Sequence, residues 1–290
     1  MRRLGFGMTF SRLGFQFSSI SYPDLPTARL FGHIGDVAVA AEQNGFGSIW
    51  LPDHAMQNHN GGGTDKPMFE AYSLLSALAV RTEQVSLGAM VSPVTFRNPA
   101  LLAKTVTTVD VISGGRAVLG IGAAWDTTEH PAYGIDFPSA GERLDRLEEA
   151  VQICRLMFTE EDPTFTGKHY SIDHAINSPR PIQASIPIVV AGGGEKRTLR
   201  IAARFADASN IGGPLEQLAH KLEVLQAHCA AAGRDFATLT KTVSVVAPTD
   251  LAELVDAVAA RRALGFDTVV VMANSCPGPD TVAAWGQALS

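Results

Sequence analysis

Pro187-Ile-Val-Val-Ala-Gly-Gly-Gly-Glu-Lys-Arg-Thr-Leu-Arg-Ile-Ala-Ala-Arg-Phe-Ala-Asp207 passes from a β-branched run through three glycines straight into an amphipathic helix. An apolar strand that feeds a helix in this way is the repeating unit of a parallel α/β fold. Glycines let the backbone approach an anion closely, and a helix N-terminus aims free N–H groups and partial positive charge at it. Lys196 and Arg197 add formal charge just beyond. Gly192, Gly193 and Gly194 therefore read as a phosphate grip, or else as a plain strand-to-helix turn that needs glycine for its geometry. The spacing fits neither the P-loop GxxxxGK[ST] nor the dinucleotide fingerprint GxGxxG.

The same alternation runs through almost the whole sequence. Short strands, apolar on both faces, are expected at 13–17, 48–51, 85–91, 117–121, 186–191, 208–211, 242–246 and 268–272. Helices are expected at 33–44, 71–80 and 99–112, along the stripe Leu144, Leu147, Val151, Cys154 and Phe158, and at 196–206, 215–232, 251–264 and 280–289. Eight such βα units predict a (β/α)8 TIM barrel, with a doubly wound sheet as the alternative because periodicity does not reveal closure. One domain over 1–290 is expected. Residues 160–185 break the rhythm with a small hairpin and a Pro-rich return, an insertion between the fourth helix and the fifth strand. Arg3-Leu-Gly-Phe-Gly nearly repeats as Arg12-Leu-Gly-Phe-Gln, so residues 1–10 read as an N-terminal extension with Met8 as an alternative start.

Composition narrows the function. A barrel typically takes about 250 residues, so 290 leave room for the insertion. A formal net charge of −6 argues against nucleic-acid binding, which wants a basic stripe. Cys154, Cys229 and Cys276 are widely separated and form no disulfide framework or zinc motif. No apolar run is long enough for a membrane span. The expectation is a cytoplasmic enzyme acting on a small molecule, with no metal.

Barrel chemistry concentrates where strands end. After the second strand come Asp53 and His54, a carboxylate beside an imidazole able to shuttle protons near neutral pH, or simply a helix-capping Asp with a surface His. After the fourth, Gly122 and Ala123 leave room for a flat ligand. Trp125 either walls that pocket or packs in the core, and Glu129 and His130 either reach in or sit in a solvated loop. Phe17, Met56 and Trp125 are candidates for an apolar substrate wall. No expected strand ends in Lys, as a Schiff-base aldolase would need, and no GxSxG elbow occurs. Roomy strand ends with few nucleophiles suit a cofactor that brings its own reactivity.

These residues carry a resemblance. Asp53-His54, Thr95-Phe-Arg-Asn-Pro-Ala-Leu-Leu-Ala-Lys, Asp110-Val-Ile-Ser-Gly-Gly-Arg, Gly120-Ile-Gly-Ala-Ala-Trp, Glu129-His-Pro-Ala-Tyr-Gly, Gly141-Glu-Arg-Leu-Asp-Arg-Leu-Glu-Glu-Ala and Gly192-Gly-Gly-Glu-Lys-Arg occur in order. From about Arg12 onward the chain resembles the bacterial luciferase-like monooxygenase superfamily, in particular the branch that uses coenzyme F420, an 8-hydroxy-5-deazaflavin. The resemblance implies a deazaflavin at the strand mouths, with its phosphate on Gly192, Gly193 and Gly194. It implies a non-prolyl cis peptide at Met90–Val91 behind the ring, Asp53 bonded to the ring or its neighbours, and His54 facing the reaction centre. The expected activity is hydride transfer between the deazaflavin C5 and a small organic substrate, with His54 and then Glu129 as proton-handling groups. The alternative is an FMN-dependent monooxygenase served by a partner flavin reductase, and a non-catalytic ligand-binding barrel is a third reading. The sugar-phosphate dehydrogenase of this branch has a glutamate where this chain places Trp125, which argues against glucose-6-phosphate. Relatives pair through barrel helices, so a homodimer is expected, with the stripes of 71–80 and 99–112 as candidate faces.

Overall fold

A computed structural model describes residues 11–57, 63–273 and 276–290. The proposed extension at 1–10 lies outside the described residues. The first half runs β1 (Leu13–Phe17), α1 (Thr27–Gln43), β2 (Ser48–Leu51), α2 (Ala71–Ala79), β3 (Ser86–Ala89), β4 (Ser92–Pro93), α3 (Pro99–Ser113), β5 (Ala117–Gly122) and α4 (Glu129–Ala132). The rest runs α5 (Ala140–Thr159), β6 (Phe165–Thr166), β7 (Ser171–Ile172), β8 (Ile188–Ala191), α6 (Thr198–Phe205), β9 (Ala208–Ile211), α7 (Leu215–Ala231), β10 (Thr240–Val246), α8 (Leu251–Ala263), β11 (Thr268–Ala273) and α9 (Pro279–Leu289).

All strand pairs except the β6–β7 hairpin are parallel, and β3 returns to pair with β5. That last pairing closes an eight-strand barrel and excludes the doubly wound sheet. No helix of the described residues is long and apolar enough to cross a membrane.

The expected third strand is broken in two. Four steps from Gly88 to Ser92 face three steps from Val118 to Ile121, so β3 and β4 are halves of one strand separated by a bulge. The bulge holds Met90 and Val91, whose peptide bond is cis. It re-aims the chain at the C-terminal mouth of the barrel.

Inside the barrel, Trp50, Val118, Val189, Ala208 and Val270 form a plug, with Met90 packed on it. The Trp50 indole N–H donates to Ser48 Oγ at 2.9 Å, which satisfies its one polar atom. Gly88 makes the space: a Cβ there would sit 2.7 Å from the indole and from the Val118 carbonyl. The larger core lies between strands and helices and includes Phe15, Phe17, Ile34, Leu75, Leu147 and Phe158. Each such side chain contributes about 1.5–3 kcal/mol on burial.

Asp110 and Arg116 of the Asp110–Arg116 motif work away from the mouth. Asp110 is buried and accepts from the amides of Ile182 and Gln183 and from Gln183 Nε2, pinning the Pro-rich return beside the start of β5. Gly114, at φ 69°, closes α3 in the left-handed conformation. Arg116 then donates to the carbonyls of Ala79, Thr82 and Val85. Glu149 of α5 accepts from the amides of Lys168, His169 and Tyr170, which fixes the hairpin turn on that helix.

Candidate active site

A cavity of about 410 Å³ opens at the C-terminal ends of the strands. Every barrel strand or the loop after it contributes, from Gln16 on β1 to Met272 on β11. Met90, Val91, Gly122, Ala123, Gly192, Gly193 and Gly194 all line it, as do His54, Trp125 and Glu129. A Cβ on Gly122 would lie 2.8 Å from Val91 Cγ2, so glycine is what keeps that wall open against the bulge.

Three expected residues sit elsewhere. Phe17 is fully buried and packs edge-on against Phe15 at 4.8 Å between ring centres, on the helix side of the sheet. The reason is strand parity: Phe15 and Phe17 share one face, and Gln16 between them faces the cavity. Met56 is half-buried and does not line the cavity. Asp53 is buried but turned from the cavity, in a two-bond ion pair with Arg97 at 2.6 and 3.1 Å. Arg97 also bonds Glu70, which caps α2 through Ser73 N–H, and lies over the Tyr72 ring. In this structure Asp53 thus anchors the loop after β2.

That loop presents His54. Its Nδ1 lies 2.8 Å from Glu129 Oε1, while Glu129 Oε2 accepts from Ala55 N–H at 2.8 Å. Glu129 is only 2% exposed, and α4, a turn of helix that sequence patterning did not predict, carries it. Tyr133 donates its hydroxyl to the Ala55 carbonyl and ties the two segments again. Burial pushes the His54 pKa down, but the bond to Glu129 and the charges of Glu129, Asp126 and Asp53 outweigh it, so the pKa is raised. His54 Nε2 has no protein partner among the described residues. Trp125, 62% exposed, meets the imidazole edge-on at 5.7 Å and forms the rim.

His130 is a fully buried, satisfied histidine. Nδ1 donates to the Asp126 carbonyl at 2.8 Å, so Nε2 accepts from the Thr95 hydroxyl at 2.7 Å. It holds the loop that carries Asp126 and Glu129. His54, Asp126 and Glu129 bring potential ligand atoms within 4.8 Å of one another. Both Glu129 oxygens and Asp126 Oδ1 are already engaged by His54, Ala55 and Thr128, so hydrogen bonds account for this cluster.

The glycine loop leaves donors over. Gly192 N–H bonds the Asn210 carbonyl, and Gly192 adopts φ 134°, a conformation that favours glycine. The N–H groups of Gly193, Gly194 and Glu195 have no acceptor among the described residues. Consecutive unpaired amides at the start of a helix form an anion-binding nest. Arg197 is drawn off to Asp145 and the Gly141 carbonyl, and Lys196 is exposed and outside the cavity lining. Sequence reasoning missed Gln16, whose Oε1 is buried without a partner. The signal was present: it is the one polar residue in Leu-Gly-Phe-Gln-Phe.

A barrel with its cavity at the strand ends, a bulged third strand and a glycine loop before a helix defines a class, and the comparisons give it a name. The luciferase-like monooxygenase model matches residues 15–269, and the chain belongs to that family. It is similar to an F420-dependent glucose-6-phosphate dehydrogenase of Kineococcus radiotolerans, 37% identical over 177 residues, which cover 61% of this chain and 51% of that protein. The enzyme of that name from Nocardia farcinica is 32% identical over 227 residues, 76% of this chain and 66% of the relative. The chain spans about half the length of most of the curated relatives it matches. Among solved structures, an F420-dependent secondary alcohol dehydrogenase in complex with an F420-acetone adduct superposes with TM-score 0.81 at 18% identity, over 97% of this chain and 99% of the other. A monooxygenase from Streptomyces bottropensis follows at TM-score 0.79 and 20% identity, over 95% and 96%. At such identities the structures share the fold.

Proposed function

We propose that this protein is a coenzyme F420-dependent oxidoreductase acting on a neutral organic alcohol or carbonyl compound. The observation that carries the reading is one cavity joining an unpaired-amide nest to a carboxylate-oriented histidine. The naming of the curated relatives supports the cofactor.

The residues present fit such a group. Gly193, Gly194 and Glu195 would hold its phosphate through their N–H groups. Gly122, Ala123 and the Met90–Val91 bulge leave a slot for a flat ring, and the orphaned Gln16 Oε1 would accept a ring N–H. The bound deazaflavin would supply two-electron hydride chemistry at C5. The chain's own share is orientation and proton movement. Glu129 fixes the ring of His54, and Nε2 would give a proton to, or take one from, the substrate oxygen.

The cavity's charge supports a neutral substrate. Among the described residues its lining includes the carboxylates of Asp126 and Glu129 and no Lys or Arg. A sugar phosphate would meet like charge there, so the substrate named for the curated relatives suits this site poorly. The exposed face of Trp125 suits an apolar or aromatic substrate. Pairing of two copies belongs to the same reading, supported by outward-facing Leu101, Val111 and Ile112 on α3.

The test is a titration with F420 and, in parallel, FMN, followed by tryptophan fluorescence. Anaerobic oxidation of reduced F420 by carbonyl compounds is then measured. Tight F420 binding with weak FMN binding is expected. Preference for FMN together with oxygen uptake would replace the reading by the monooxygenase one.

A further inference from the structure

We infer that Lys221 is the positioning residue of the phosphate nest, an inference that rests on the cofactor reading above. Lys221 belongs to α7, more than twenty residues beyond the glycine loop, and reaches back to it. Its Nζ donates to the Gly193 carbonyl at 2.7 Å, and Glu195 Oε1 lies 3.8 Å away. Only 12% of the side chain is exposed.

The peptide bond explains what this does. The C=O of Gly193 and the N–H of Gly194 belong to one planar trans unit and point in opposite directions. Holding the carbonyl on the ammonium turns the Gly194 N–H away from it. The next carbonyl but one, that of Glu195, is held by His228 Nε2 at 2.7 Å, also from α7. Two side chains of one helix thus fix the back of the loop and leave its amides for a ligand on the front.

Space confirms how close the lysine stands. A Cβ on Gly193 would fall 2.9 Å from Lys221 Nζ and 3.0 Å from the Gly212 carbonyl. A glycine at this position therefore leaves room for the ammonium and the Gly212 carbonyl. Lys221 also supplies the charge that Arg197 and Lys196 do not. It is outside the cavity lining, so it acts on the anion through the Gly193 peptide and its field. Glu195 takes part of that charge.

The test separates the phosphate from the ring. Affinities for F420 and for its phosphate-free chromophore, 8-hydroxy-5-deazariboflavin, are measured on the wild type, Lys221→Met and Lys221→Arg. The expected result is roughly 10-fold weaker F420 binding by Lys221→Met, because the loop amides are no longer held ready for the anion, with the chromophore unchanged. Lys221→Arg should restore much of the loss, and the F420 affinity of the wild type should fall more steeply with salt than that of Lys221→Met. Equal weakening of both ligands would make Lys221 a fold-holding residue and overturn the inference, as would no change in either. If the wild type prefers FMN, the cofactor reading fails alone, and FMN against riboflavin makes the same comparison. A wild type that binds no phosphate-bearing flavin overturns both.

Discussion

Replacing Glu129 by Gln tests the centre of the site by subtraction. The two Glu129 oxygens serve two donors, His54 Nδ1 and Ala55 N–H, each at 2.8 Å. Gln keeps the shape but offers one carbonyl oxygen and an NH2 that cannot accept. When His54 is protonated, one of the two donors loses its acceptor in a site where the carboxylate is 2% exposed, and such a loss costs about 1–3 kcal/mol, whereas neutral His54 can accept from the Gln NH2 through Nδ1. The charge adds a pH signature. The His54 pKa is raised from its ordinary 6.5, so the pairing stabilises the fold fully below that value. The contribution is lost as pH rises through the raised native pKa. Urea unfolding of wild type and Glu129→Gln, at about pH 6 and about pH 9, reads the difference. The penalty should be larger at the acid value. A penalty that is constant, or grows with pH, would refute the ion-pair assignment.

Further outcomes follow from the same geometry. His54→Ala should lower turnover about 10²–10⁴-fold if its Nε2 moves the proton, and normal turnover would remove it from that role. Arg97→Met leaves Asp53 buried without its partner. Unfolding should show a loss of about 2–4 kcal/mol, below the full buried-pair range because Arg97 is partly exposed, and Asp53→Asn should relieve part of it. Gly120→Ala would put a Cβ 2.0 Å from the Ala89 carbonyl and should lower stability by about 1–3 kcal/mol. Trp125→Ala should raise KM for aromatic substrates and leave the melting temperature within about 2 °C, since the side chain is mostly exposed.

Sequence patterning located the barrel because each strand is short, apolar and followed by a helical stripe. β1, β2 and β9 have the limits expected from residues alone. α1 begins at Thr27, before the expected 33, because its first turn follows Pro26 and is largely exposed, leaving no apolar stripe to read. α6 begins at Thr198, two residues late, because the loop spends Glu195, Lys196 and Arg197 on a turn. The bulge was legible only through resemblance, since Leu87–Val91 looks like an uninterrupted strand. Two contacts around the site lie beyond the reach of sequence patterning. Asp53 meets Arg97 and Lys221 meets Gly193 across long sequence separations. Periodicity sees neighbours along an element, whereas these partners are set by the packing of adjacent βα units. Phe17 is different: strict alternation along β1 already placed Gln16, and not Phe17, on the face with Trp50.

The plug beneath the cavity and the rim above it are both indoles. Trp50 is buried in the barrel one side chain below Met90, and Trp125 stands at the mouth. A molecule that fills the cavity touches the wet fluorophore directly and the dry one only through Met90. Trp125→Phe leaves Trp50 and Trp285, and Trp285 packs by Phe15 in the core outside the barrel. Trp125→Phe combined with Trp285→Phe therefore isolates the deep emitter, whose titration reports how far a ligand descends. The difference from Trp285→Phe alone reports what covers the entrance. The fold therefore carries its own depth gauge, readable without a label.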